Sequence, residues 1–151
     1  MRELGKEELA LFCEAAFHSF SNQTDETYFS DNKAVLERAY LRATTPQGGS
    51  GSSGDDANWE VTRRLHVEAI RRDGTYLDTG CANGLLMESM VKWAAGEGYK
   101  LDPYGVDISD KLVEVARERL PEWADHIYVG NVMHWQPPIR FDYVTTRLEY
   151  V

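Results

Sequence analysis

The fold is decided by residues 77–84, which read Leu77-Asp78-Thr79-Gly80-Cys81-Ala82-Asn83-Gly84. Small residues at positions 80, 82 and 84 let the backbone turn tightly at the end of a strand and pass close to a ligand. The N–H groups of the helix that follows point into the same crevice. The stretch therefore predicts a strand, a ligand-binding turn and a helix, with a plain turn in a non-binding fold as the alternative.

Strands and helices alternate along the chain from residue 75 onward. Hydrophobic periodicity predicts helices over Leu85–Glu97 and from a cap at Ser109 to Leu120, and strands over residues 75–78, 104–108, 126–129 and 141–146. This alternation favours an α/β fold with a parallel sheet wrapped by helices.

The residues before the first strand read as helices and a linker. Helical spacing of apolar residues predicts helices over residues 6–20, 31–43 and 59–72. Residues 44–58 are rich in Gly and Ser and predict a flexible loop that becomes more ordered over a bound ligand. We therefore expect an N-terminal helical cap with its Gly/Ser loop over residues 1–58 and a sheet domain over residues 59–151.

The turn does not match the dinucleotide fingerprint GxGxxG. Counted from Gly80, that pattern needs glycines at positions 82 and 85, where this sequence has Ala82 and Leu85. A nicotinamide-linked or nucleotide-sugar enzyme on the same kind of sheet is accordingly disfavoured.

The turn does resemble the first motif of the class I S-adenosylmethionine-dependent methyltransferases, an acidic residue followed by GxGxG. Here Asp78 is followed by Gly80-Cys-Ala82-Asn-Gly84, with alanine in place of the middle glycine. The sequence GVDIS ending at Ser109 resembles the family's second motif, and the FDYV sequence that begins at Phe141 resembles its fourth strand. The matches occur in chain order over residues 74–151, about half of the chain.

The resemblance implies a Rossmann-like, doubly wound parallel sheet with the strand order 3-2-1-4 and S-adenosylmethionine as cofactor. Asp107 lies 23 residues after Gly84 at the end of the second strand, where its carboxylate is expected to accept hydrogen bonds from both ribose hydroxyls. Support of the following helix N-terminus is its alternative role. Asn131 is expected to accept from the adenine amino group beside the N–H of Val132, or to act as an ordinary turn residue. The cofactor-binding residues predicted in this way are Asp78, Gly80, Cys81, Ala82, Asn83, Gly84, Asp107, Ile108, Asn131, Val132 and Met133.

The activity implied by the resemblance is direct methyl transfer from S-adenosylmethionine to an acceptor, and the acidic charge of the chain suggests that the acceptor is a small molecule. In such a transfer an O, N or C nucleophile of the acceptor attacks the sulfonium methyl in line, and catalysis comes largely from alignment of the two molecules. The sequence accordingly identifies no catalytic residue. The alternative is a non-catalytic module that binds the cofactor or dimerises.

Composition excludes several other classes of function. The formal net charge of −9 disfavours a nucleic-acid partner, and no stretch is apolar for long enough to cross a membrane. We therefore expect a cytoplasmic protein. The four histidines and two cysteines show no metal-ligand spacing, so no metal is expected. Cys81 is better explained by its small size than as a nucleophile.

The segments that cover the site and the edge strand of the sheet can also be predicted. In the resembling family, segments before the first strand often cover the ligand, which makes Tyr28, Tyr40 and Trp59 candidate lid residues. The family's sheet continues beyond a fourth strand, whereas this sequence ends at Val151 soon after it. We expect either a fragment of a longer protein or a homodimer formed through the exposed fourth strand.

Overall fold

The computed structural model describes residues 25–52 and 55–146. The predicted helix over residues 6–20 lies outside these residues. None of the helices described is both long enough and apolar enough to cross a lipid bilayer.

Contacts divide the chain into two units, residues 1–35 and residues 36–151. This division differs from the predicted boundary between residues 58 and 59. The described part of the first unit is the beginning of one helix, and the sheet and the site described below belong to the second unit.

The second unit is built around a four-stranded parallel sheet in the order β3-β2-β1-β4. This confirms the predicted α/β Rossmann-like sheet and its strand order. The helices are α1 (Asp25–Leu41), α2 (Asp56–Arg63), α3 (Leu85–Gly96) and α4 (Asp110–Arg119), and the strands are β1 (Gly74–Thr79), β2 (Leu101–Asp107), β3 (Ile127–Val129) and β4 (Tyr143–Thr146). Short 3₁₀ turns occupy Gly48–Ser50, Arg64–Ala69 and Pro121–His126.

Helices α3 and α4 pack on one face of the sheet and form the core with it. The side chains of Tyr76 and Ile127 on the strands and of Met87 and Val113 on the helices are fully buried there. At Gly105 a Cβ atom would lie 2.6 Å from the sulfur of Met87, so a larger residue there would have to displace the Met87 side chain.

The opposite face of the sheet is crossed by residues 130–142, which connect the end of β3 to the start of β4. Tyr104 of β2 stacks on His126 with ring centroids 4.0 Å apart and meets the edge of Phe141 at 5.1 Å. Tyr128 of β3 packs against Trp135 at 5.5 Å. Consecutive parallel strands need a crossover connection. Between β3 and β4 this aromatic segment forms that connection, whereas helices form it between the other strands.

Two predicted helices have different bounds in the structure. Helix α1 already includes Asp25, six residues before the predicted start, and the residues Ser30-Asp31-Asn32, whose types often cap helices, lie inside it. Helix α2 begins at Asp56, because the side chain of Asp55 accepts a hydrogen bond from the N–H of Asn58 and caps it. It ends at Arg63 rather than at residue 72, where a 3₁₀ turn takes over.

Strand β2 begins at Leu101, three residues before the predicted start. Pro103 lies inside it, although proline is uncommon within a sheet. Its missing N–H is tolerated because β3 pairs with β2 only from Gly105 onward, so this part of β2 is unpaired on that side.

The start of β4 is anchored to β1 through Asp142. Its carboxylate accepts hydrogen bonds from the N–H of Thr75 at 2.9 Å and from the Arg72 guanidinium at 2.6 Å. The bonds from Thr75, followed by the charge of Arg72, lower the pKa of this carboxyl. The aspartate of the FDYV sequence is thus a structural anchor far from the carboxyl ends of the strands.

We predict that Gly105→Ala destabilises the fold by about 1–3 kcal/mol, since the new methyl group overlaps Met87. Gly96→Ala is the matched control, because a Cβ atom there meets nothing within 4 Å and alanine favours the helix by up to about 1 kcal/mol. Urea unfolding measures both. Equal midpoints for the two variants would contradict the packing described for β2 and α3.

Candidate ligand-binding site

The turn between β1 and α3 lies where the chain changes direction across the sheet. From β1 the chain builds β2 and β3 on one side, and β4 then adds to the other side of β1. Such a switch point opens a crevice outside the carboxyl ends of the strands, which is where ligands bind in open α/β sheets. The predicted glycine turn is therefore at the place in this fold where a ligand site is expected.

The backbone of the turn is held by β2. The N–H groups of Gly80 and Cys81 both donate to the carbonyl oxygen of Val106, at 2.8 and 3.2 Å. Gly80 has φ +76, and a Cβ atom there would meet nothing within 4 Å. Gly80 is thus required for its backbone conformation, and the space in front of it is open.

The other two small residues of the turn, Ala82 and Gly84, differ in why a small residue is needed. Ala82 adopts φ +46, a left-handed conformation that costs about 1–2 kcal/mol in a residue other than glycine. At Gly84, with φ +77, a Cβ atom would lie 2.8 Å from the side chain of Leu120. The last glycine of the motif therefore serves the packing of α3 against the end of α4.

Asp107 joins the turn to the start of α4. One of its carboxylate oxygens accepts from the N–H of Ala82 and the other from the N–H of Ser109, both at 2.9 Å. The residue is only 9% exposed. These two backbone bonds fix the orientation of the carboxylate. Asp107 therefore does support the N-terminus of α4, which was its alternative role. This support leaves binding of a ribose diol possible.

Asp78 is buried beneath the turn, with 2% of its surface exposed. The Thr145 hydroxyl on β4 donates to its carboxylate at 3.0 Å. The same hydroxyl lies 2.7 Å from the hydroxyl of Tyr76, which must be the donor because threonine has a single hydroxyl hydrogen. Burial, followed by the charge of Asp78, raises the pKa of Tyr76 well above its usual value. A chain of hydrogen bonds therefore ties β1 to β4 under the candidate site.

The side chain of Asn83 faces the segment that precedes α2. Its amide nitrogen donates to the carbonyl oxygen of Pro46 at 2.8 Å, and its amide oxygen accepts from the Ser50 hydroxyl at 2.6 Å and from the N–H of Leu85 at 3.2 Å. The sequence does not indicate Pro46 and Ser50 as partners of Asn83, because a Gly/Ser-rich stretch carries no local pattern that identifies a distant partner.

The predicted adenine-side residues follow β3. The amide oxygen of Asn131 accepts from the N–H of Met133 at 3.0 Å, and its backbone carbonyl accepts from His134 at 2.9 Å. Its alternative role as a turn residue is thus observed. Val132 is 36% exposed and Met133 60% exposed, while Ile108 is half-buried between Asp107 and Ser109.

The segment before α2 and the end of α1 border the crevice from the other side. The Glu37 carboxylate of α1 accepts from the Ser109 hydroxyl at 2.8 Å and from the Lys111 ammonium at 2.6 Å. At Gly51 a Cβ atom would overlap the hydroxyl group of Tyr40, so this tyrosine packs directly on the segment. Neither contact could be inferred from the sequence.

The three lid residues predicted from the sequence lie in different parts of the chain's structure. Tyr40 does lie beside the site, whereas Trp59 is 5% exposed and donates from its indole to the Ser89 hydroxyl of α3 at 3.0 Å. The prediction for Trp59 is wrong, because the ring is part of the core between α2 and α3. The side chain of Tyr28 lies outside the described part of the structure.

A cavity of about 710 Å³ lies at the opposite end of the sheet. It is lined by residues that precede β1 or β2 or belong to α2, among them Arg64, Ile70, Arg71 and Tyr99. Since these residues border the amino ends of the strands, the cavity is separate from the glycine turn. In the part of the chain that the structure describes, no group of His, Cys, Asp and Glu side chains is arranged to hold a metal ion.

No protein-family model matches this sequence, and no curated protein matches it. Solved structures do resemble it. A protein of Pyrococcus horikoshii OT3 is 22% identical over 61% of this chain and 43% of its own, with a TM-score of 0.46. A TehB-like S-adenosylmethionine-dependent methyltransferase from Corynebacterium glutamicum is 18% identical over 80% and 54%, with a TM-score of 0.44. Coclaurine N-methyltransferase bound to N-methylheliamine and S-adenosylhomocysteine is 13% identical over 86% and 44%, with a TM-score of 0.49.

The chain spans about half the length of each of these three structures. At such identities a likeness concerns the fold. The function has to be inferred from the residues of this chain.

We predict that the Cys81 thiol is unreactive in the folded protein. It is 2% exposed, and burial, followed by the charges of Asp107 and Asp78, raises the pKa of the thiol well above its usual value. Alkylation at pH 8, followed by mass spectrometry of the peptide that contains Cys81, should be at least about tenfold slower than in the urea-unfolded chain. Equal rates would show an accessible thiolate and would reopen the nucleophile hypothesis.

Proposed function

We propose that this chain binds S-adenosylmethionine across the carboxyl ends of β3, β2 and β1 and is the cofactor-binding part of a methyltransferase for a small-molecule acceptor. The observation that carries the proposal is the Asp107 carboxylate, held by two backbone N–H groups beside the open turn at Gly80. A fixed acceptor of this kind suits a pair of vicinal hydroxyl groups.

The residues present fit such a ligand in three respects. The space in front of Gly80 would accommodate a molecule passing close to the backbone. Asp107 would accept from both ribose hydroxyls, and Asn131 follows β3 on the side of Asp107 away from the turn, where the N–H of Gly130 donates to the Asp107 carbonyl at 2.9 Å. These three features follow the strand order, so a single extended nucleoside ligand would meet them in sequence.

When bound, S-adenosylmethionine would supply an electrophilic methyl group on its sulfonium sulfur. The residues of this chain would bind and orient it, Asp107 through the ribose and the turn at Gly80 through backbone proximity. Alignment of two bound molecules supplies much of the rate in such a displacement, so a protein nucleophile is not needed. The buried thiol of Cys81 is consistent with this role of the site.

The proposed acceptor is a small neutral or cationic molecule. The net charge of −9 would repel a polyanion such as RNA or DNA, whereas it favours the approach of a cation.

Association of two copies through the edge of β4 stays a prediction, supported by the exposure of Val144 at 56% on that strand. Light scattering of the purified protein at several concentrations tests it, and a monomer at every concentration would contradict it.

We predict that the protein binds S-adenosylhomocysteine and that Asp107→Asn weakens this binding at least tenfold. The substitution keeps the shape of the side chain but removes its charge and one acceptor, and a hydrogen bond to a charged group contributes about 1.5–3 kcal/mol. Isothermal titration calorimetry measures the affinity, with NAD as a comparison ligand that should not bind.

Asp102→Asn is the matched control for this titration. Its carboxylate is half-exposed on the same strand β2, five positions before Asp107 and near the amino end of the sheet. It should leave the affinity unchanged. Equal binding by wild type and Asp107→Asn would refute the proposed site, and binding without methyl transfer to any acceptor would favour the non-catalytic alternative.

A further inference from the structure

We infer that Asn83 is a positioning residue that latches residues 45–52, here called the latch segment, against the glycine turn and so sets the affinity for the part of the ligand beyond the ribose. The inference rests on the proposed function. It assigns to Asn83 a role through a second segment of the chain, instead of the direct cofactor contact expected from its place in the motif.

The contacts of Asn83 are those of a residue shared between two segments. The side chain is 6% exposed and uses both ends of its amide on the latch segment, donating to the Pro46 carbonyl and accepting from the Ser50 hydroxyl. Its oxygen also accepts from the N–H of Leu85 at the start of α3. One buried amide therefore holds the turn, the helix entry and the latch segment in one arrangement.

The latch segment is shaped to receive this amide. At Gly49 a Cβ atom would lie 2.6 Å from the amide nitrogen of Asn83, so the backbone of the segment rests directly on the side chain. Gly49, Gln47 and Ser52 are buried, although the surrounding sequence is rich in Gly and Ser. Within the segment, the N–H of Ser52 donates to the Gln47 carbonyl at 2.8 Å and closes a compact loop.

The strand order decides which part of the ligand meets the latch segment. Asn131 follows β3, Asp107 ends β2, and the turn at Gly80 follows β1. A ligand with its ribose at Asp107 and its base toward β3 must extend its remaining part toward β1. Asn83 lies three residues after Gly80, so the latch segment borders that remaining part and not the base.

The test compares two ligands that differ only beyond the ribose. S-adenosylhomocysteine and 5′-methylthioadenosine share the adenosine and the thioether, and the second lacks the amino-acid portion. Calorimetry with the wild type, Asn83→Ala and Ser50→Ala measures both affinities. Asn83→Ala should weaken S-adenosylhomocysteine about tenfold while 5′-methylthioadenosine changes less than about twofold, and Ser50→Ala should act in the same direction by a smaller factor.

Ser50→Ala keeps the test valid if Asn83→Ala perturbs α3. It acts from the latch segment, because it removes the hydroxyl that donates to Asn83 and no atom of the bond from Leu85 to Asn83. Asn58→Ala, an exposed position on α2, is the matched control and should leave both affinities unchanged. Hydrogen exchange should accelerate over residues 45–52 in Asn83→Ala and stay unchanged in β1 and β2.

The outcomes separate this inference from the proposed function. If the wild type binds neither ligand, the proposed function fails, and the exchange measurement still decides whether Asn83 holds the segment. If the wild type binds both and Asn83→Ala weakens them equally, Asn83 acts through the turn alone and the inference is overturned. Unchanged affinity for S-adenosylhomocysteine together with faster exchange in the latch segment would also overturn it.

Discussion

The carboxylate of Asp107 is the group on which the candidate site depends. Its two oxygens bind the backbone of the turn after β1 at Ala82 and the entry of α4 at Ser109. Because the group is buried, each of these N–H donors would be costly to leave without an acceptor. The carboxylate therefore fixes the distance between the two turns that border the crevice, and it is itself held in one orientation by them.

The sheet supplies the rest of the alignment. Parallel strands place all their carboxyl ends at one edge, and the order β3-β2-β1-β4 puts the ends of β2 and β1 side by side at the switch point. The Gly105 backbone, with Met87 packed on it, allows α3 to lie close enough to β2 for the turn to bond Val106 and Asp107. The packing of α3 on β2 therefore also positions the turn that precedes α3.

Polar side chains then attach the segments that precede the sheet. Asn83 holds the latch segment, and Glu37 joins α1 to Ser109 at the entry of α4. Ser109 consequently caps α4, donates to Glu37 and gives its N–H to Asp107. A substitution at any of these residues should therefore alter the geometry of the crevice, since hydrogen bonds within one network do not contribute independently.

Local patterns in the sequence were sufficient to predict several of the strands, turns and helices. The strand, turn and helix around residues 74–96 and the Ser109 cap follow from periodicity and small or capping residues within a few positions of one another. The position of Asp107 also followed, because parallel strands bring their carboxyl ends together whatever their details.

The partners of the polar side chains depend on how distant segments of the chain pack together. Asn83 meets Pro46 across 37 positions of sequence and Ser50 across 33, while Ala82 meets Asp107 across 25. Likewise Trp59 became a core residue because Ser89 of α3 lies against its indole nitrogen. Hydrophobic spacing reports which face of an element is buried, but a hydrogen bond between distant segments depends on how the whole chain packs, and no local pattern encodes it.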